Sequence, residues 1–129
     1  MNFVESRLVG VEIGDAERET VFSLVEVGGK RFTLKLHGVD KLLVSEMRQQ
    51  NIIEDLTHWT MGESSPALRE SAFVLFAGTE ERACSREMAA VVEKALDRVT
   101  RGELELLEIT AVYGAQVLAA FASMTLQPD

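Results

Sequence analysis

Two histidines are the residues best suited to move a proton in this chain. His37 is followed by Asp40, and His58 is preceded by Glu54 and Asp55. An imidazole beside a carboxylate can act as a general base, because its charge changes near neutral pH. Two histidines with an acid can also ligate a metal. The spacing here fits no ligand motif, and 21 acidic residues in 129 put a carboxylate near almost any position. Cys84 would be a nucleophile if a helix N-terminus lowered its pKa. Its place among Met88 and Val91 instead predicts a small buried hydrophobe. Gly28-Gly29 is no phosphate loop, since it lacks a strand-turn-helix setting. The sequence therefore assigns no catalytic residue, metal or cofactor.

The residues left for recognition are Trp59, His58, Tyr113, Glu103 and Glu105. An exposed tryptophan anchors protein contacts well, although Trp59 also suits a core position at a strand end. Tyr113, beside the Gly114 turn, has the same two readings. Glu103 and Glu105, two residues apart, would share one strand face.

Several elements must position these side chains. Leu8 to Ile13 has strand period, with Val9, Val11 and Ile13 on one face. Thr20 to Val27, the Gly28-Gly29 turn and Arg31 to His37 read as a hairpin. Phe32, Leu34 and Leu36 alternate with Arg31, Thr33, Lys35 and His37, which predicts one wet face. Gly38 to Met47 fits a short strand or a short helix, with strand preferred. Ile52 to Thr60 reads as a strand, Met61 to Ala67 as a loop and Phe73 to Phe76 as a buried strand.

The clearest element is a helix over about 80–101. Its apolar stripe is Cys84, Met88, Val91, Val92, Ala95, Leu96 and Val99. Thr79 is its expected N-cap and Gly102 its left-handed terminator. Leu104 to Tyr113 and Ala115 to Leu126 follow as strands, turning at Gly114. Val117 to Ala122 is apolar on both faces, which suits a strand in a sheet covered on both sides; a second helix is the alternative, because Ala-rich runs favour helix. The fold class is therefore α+β over 1–129 as one domain. A mainly antiparallel sheet of six to eight strands packs against one long helix in the C-terminal half.

Composition narrows function further. A 47% apolar chain of this length can bury a core without disulfides or metals. The net charge is -8, shared evenly: residues 1–64 carry 7 basic and 11 acidic groups, residues 65–129 carry 6 and 10. No basic patch is visible, which argues against nucleic acid, and a basic protein is the electrostatically favoured partner. The lone cysteine, the absence of a signal-peptide pattern and the lack of any ~20-residue apolar run together predict a cytoplasmic protein with no membrane association.

Leu36-His37-Gly38-Val39-Asp40-Lys41-Leu42, then Arg48-Gln49-Gln50-Asn51-Ile52-Ile53, and the hairpin at Tyr113-Gly114-Ala115 resemble small uncharacterised bacterial α+β domains, some of them of the toxin-immunity type. The resemblance covers about a third of the chain. It implies a stoichiometric binding protein and brings no catalytic residues. The leading expectation is thus non-enzymatic binding of a basic partner, as an immunity-type inhibitor. A small enzyme using His37 or His58 and a structural subunit of a homo-oligomer are the alternatives.

Overall fold

The computed structural model describes residues 3–14, 18–112 and 114–129. Five strands come first: β1 (Arg7–Ile13), β2 (Thr20–Val25), β3 (Arg31–His37), β4 (Lys41–Ser45) and β5 (Asn51–Trp59). Helix α1 (Pro66–Ala77), a 3-10 turn at Glu81–Ala83 and helix α2 (Arg86–Thr100) follow. Strands β6 (Glu105–Ala111), β7 (Gln116–Phe121) and β8 (Ser123–Pro128) complete the chain. The fold is α+β, with an eight-stranded antiparallel sheet in the order β4-β7-β6-β5-β1-β2-β3-β8.

The two ends of that order are continuations of inner strands. β3 runs into β4 through residues 38–40, and β7 into β8 through Ala122. β3 pairs with β8 and β4 with β7, so 31–45 and 116–128 form one bent antiparallel ladder. Backbone bonds carry it across the bend, from Asp40 N–H to the Ala120 carbonyl (2.8 Å) and from Ala122 N–H to the His37 carbonyl (2.9 Å). Gly38 sits at the crossing with φ +64, and a Cβ there would lie 2.9 Å from the Ala122 Cβ. Only glycine accommodates both the left-handed backbone and that approach. The sheet thereby folds back as two halves, β1-β2-β3-β8 and β4-β7-β6-β5, joined at corners where strands switch halves.

One core lies between the halves. Leu8, Phe22, Leu24, Phe32, Leu34, Leu36, Ile53, Leu107, Ile109, Val117, Ala119 and Phe121 form it. The predicted alternation of β3 is observed, with Phe32, Leu34 and Leu36 buried. In β1 a bulge between Leu8 and Gly10 breaks the simple period. It turns Leu8 and Val11 toward the core and leaves Val9 and Ile13 exposed. The expected common face of Val9, Val11 and Ile13 is therefore not formed.

The helices build a second cluster on the outer side of β6 and β7. Trp59, Leu68, Ala72, Phe73, Val92, Ala95, Val99, Leu104, Leu106 and Ala120 belong to it. β7 is thus covered on both faces over Val117 to Phe121, as the apolar run there predicts.

Three sequence expectations are corrected here. Two helices, not one, lie in the middle of the chain, and three strands follow them. Phe73 to Phe76 is helical rather than a strand, because a short apolar run carries no period of its own. Ser65 starts α1 by accepting from Leu68 N–H at 3.0 Å, with Pro66 in the first turn. The long helix begins at Arg86 under a Ser85 cap, not near Glu80 under Thr79. Its buried stripe is Val92, Ala95 and Val99, whereas Met88 and Val91 are exposed.

A single polar side chain locks the corner where the halves meet. Asn51, at the start of β5, is 1% exposed. Its Oδ1 accepts from Arg48 N–H (2.9 Å) and Ala115 N–H (3.0 Å). Its Nδ2 donates to the Leu8 carbonyl (3.0 Å) and the Arg48 carbonyl (2.7 Å). All four bonds that a carboxamide can make are made. Gly114 has φ +99, and a Cβ there would meet Asn51 Oδ1 at 2.2 Å, so glycine is required beside this hub.

Candidate functional site

The histidines find carboxylates, but not the ones adjacent in sequence. His37 points from the outer face of β3. Its Nδ1 lies 3.3 Å from Glu19 Oε2 and its Nε2 lies 3.2 Å from Thr125 Oγ1. Asp40 instead pairs with Arg18 (3.2 Å) and Arg98 (3.4 Å). His58 Nε2 lies 2.6 Å from Glu105 Oε1, and its ring stacks against Phe121 with centroids 5.9 Å apart. Glu54 and Asp55, its sequence neighbours, are exposed on β5.

The carboxylate, imidazole and hydroxyl of Glu19, His37 and Thr125 have the order of a hydrolytic triad. A triad also needs donors for a developing oxyanion and a concave place for substrate. Thr125 is exposed on the open face of β8, and neither histidine lines any of the three surface concavities described here. The pairing is a cross-strand contact. Among the described residues, no group of three His, Cys, Asp or Glu side chains is placed to hold a metal ion.

The remaining predicted recognition residues scatter. Trp59 is 8% exposed in the helical cluster, so it is a packing residue and offers no surface anchor. Glu103 precedes β6 and pairs with Arg101 at 2.8 Å, so it shares no strand face with Glu105. Tyr113 lies outside the described residues. Cys84 ends the 3-10 turn and packs half-buried against the helical cluster, rather than lying on the helix.

Folding does, however, sort charge that is evenly mixed along the chain. The strands β1, β2, β3 and β8 carry three cations, Arg7, Arg31 and Lys35, against one carboxylate, Glu12. The strands β4, β5, β6 and β7 carry one cation, Lys41, against Glu54, Asp55, Glu105 and Glu108. The neighbours β5 and β6 have no Lys or Arg at all. This strand pair is the acidic region that spacing could not reveal, because its members come from positions about fifty residues apart.

Among the described residues, three of the concavities flank α1. The largest, about 600 Å³, lies between the start of α1 and α2 and includes Glu63, Leu68, Arg69, Glu93, Leu96 and Asp97. Its ionic groups are already partnered. Arg69 bridges Glu81, through two 2.7 Å bonds, and Glu93. Asp97 pairs with Arg101, and Glu63 accepts from Thr60 N–H. These bonds raise the Arg69 pKa further and hold the Glu81 carboxyl below its ordinary range. A second groove, on the other side of Arg69, includes Glu70, Glu80, Glu81 and Arg82. The third is a crevice between α1 and the sheet, lined by Ala67, Glu70, Ser71, Val74, Glu108, Gln116 and Leu118.

No family model matches the chain, and neither a curated protein nor a solved structure matches it significantly.

Proposed function

We propose that this chain is a non-enzymatic binding domain that engages a basic protein through the acidic β5–β6 region, in the manner of an immunity-type inhibitor. The observation that supports the reading is the run of Glu54, Asp55, Glu105 and Glu108 on two paired strands without a lysine or arginine. Glu54 and Asp55 are exposed, whereas Glu105 and Glu108 are half-buried; carboxylates gathered this way attract a cationic surface from a distance and speed its encounter. The second supporting observation is negative chemistry: each histidine is spent on a cross-strand carboxylate away from the concavities.

The test is capture of the partner from the native host, followed by association kinetics at two salt concentrations. The association rate is expected to fall as salt rises, with dissociation changing less. Reversing Glu54 and Asp55 together to lysine should slow association about tenfold. An association rate indifferent to both salt and this reversal would remove the electrostatic reading. Absence of any protein partner, with turnover abolished by His37→Ala or His58→Ala, would replace it with an enzyme.

A further inference from the structure

We infer that the crevice between α1 and the β6–β7 pair is the socket for one cationic side chain, a lysine or arginine of the partner protein. This deepens the binding reading and rests on it. The crevice measures about 250 Å³, below the roughly 300–1,000 Å³ typical of small-molecule sites. It suits a single side chain better than a cofactor.

Its walls and floor differ in chemistry. Ala67, Val74 and Leu118 supply apolar surface of the kind that methylene stems cover. Glu108 rises from β6 into the same space, half-buried, and Glu70 stands at the α1 side. Glu108 accepts a hydrogen bond from the buried Ser71 hydroxyl at 2.8 Å. That bond fixes one carboxylate oxygen and supplies no counter-charge. Among the described residues, no Lys, Arg or His forms an ion pair with Glu108. The larger groove differs on this point, since Arg69 and Arg101 already neutralise Glu93 and Asp97. A partly desolvated carboxylate without a cation gains most from an incoming one. Gln116, across the ladder, adds a neutral acceptor and donor at the rim.

The experiment has two arms. The first titrates the full chain with n-butylguanidinium and n-butylammonium, and with n-pentanol as the neutral control, following backbone amide NMR shifts. Saturable shifts at Ser71, Glu108 and Gln116 are expected for the cations alone. They should weaken at least tenfold in Glu108→Gln and in Ala67→Phe, and persist in a Glu12→Gln control on the exposed part of β1. Glu108→Gln keeps an acceptor for Ser71, so an unchanged melting temperature will show that folding is intact. Equal shifts with pentanol, or shifts that Glu108→Gln leaves unchanged, would overturn the socket.

The second arm measures dissociation of the captured basic partner. Glu108→Gln should raise the dissociation rate about tenfold, an effect separate from any slowing of association by the lost charge. Salt-dependent association with an unchanged dissociation rate would refute the socket and keep the broader reading. Saturable cation binding without any basic partner would refute the broader reading and keep the socket.

Discussion

The two apolar clusters of this molecule are closed in different ways. The core between the half-sheets is bounded by backbone ladders on nearly every side, and the corner where the halves meet is tied by Asn51. The cluster under the helices has a sheet on one side only. Its outer wall is two short helices whose link to each other includes the exposed bridge of Arg69 to Glu81 and Glu93. Ladder hydrogen bonds shielded by side chains resist water better than ion pairs that solvent already screens. The helical cover should therefore open before the sandwiched core, and the proposed socket sits at the edge of that cover.

The strongest disturbance of this contrast is Val92→Asp. Val92 is fully buried in the helical cluster, and an unpaired carboxylate there costs several kcal/mol. That approaches the whole stability of a domain, about 5–15 kcal/mol. The variant should unfold, or lose tens of degrees in thermal midpoint. Trp59 is the only tryptophan and lies in this cluster. Its fluorescence will show whether the cover is lost alone or with the sheet. An unchanged melting temperature would mean that the cluster contributes little to the fold.

Asn51→Ala probes the other side of the comparison. It removes four hydrogen bonds and leaves the backbone groups of Leu8, Arg48 and Ala115 without this partner. At about 1 kcal/mol per bond the loss should be near 4 kcal/mol. Urea unfolding will measure it, and a loss under about 1 kcal/mol would show that water replaces the side chain. Ser6→Ala should move the opposite way. The Ser6 hydroxyl is buried with no hydrogen-bond partner among the described residues, so its removal should leave stability unchanged or raise it by up to about 1 kcal/mol. A clear loss in the same urea assay would reveal a partner for that hydroxyl.

The same division explains what could be read from sequence. Strand β3 was legible because its inward residues alternate without interruption, and β7 because a strand covered on both faces is apolar over its covered length, Val117 to Phe121. Helix α1 was not, because Phe73 to Phe76 reads equally as a strand and Ser65-Pro66 resembles a loop as much as a helix start. The start of α2 was misplaced because Thr79 and Glu80 imitate a cap that Ser85 provides. The acidic region was invisible for a different reason. Its charges come from strands that only the tertiary pairing of β5 with β6 brings together. The buried role of Trp59 likewise depends on a helix layer that the sequence pattern did not reveal.

The smallest expected effect is also the most specific to the helical cover. Arg69 holds the Glu81 carboxyl below its ordinary value of 4.5 by direct hydrogen bonds. A carboxyl whose folded pKa is depressed stabilises the folded state above its unfolded pKa. That contribution is lost as pH falls from about 4.5 through the lower folded value. Both partners are largely exposed, so screening keeps the effect modest, and added salt should shrink it. Arg69→Met preserves much of the stem while removing the charge. The stability gap between wild type and Arg69→Met should therefore be widest near pH 6 and should narrow on acidification below about 4.5. Urea midpoints followed by Trp59 fluorescence at pH 6 and near pH 3 will measure the gap where the bridge acts. A gap that stays constant across this range would mean that Arg69 supports the cover by packing on Phe73, whose ring centroid lies 5.3 Å from its guanidinium carbon, and not by its carboxylate pairs.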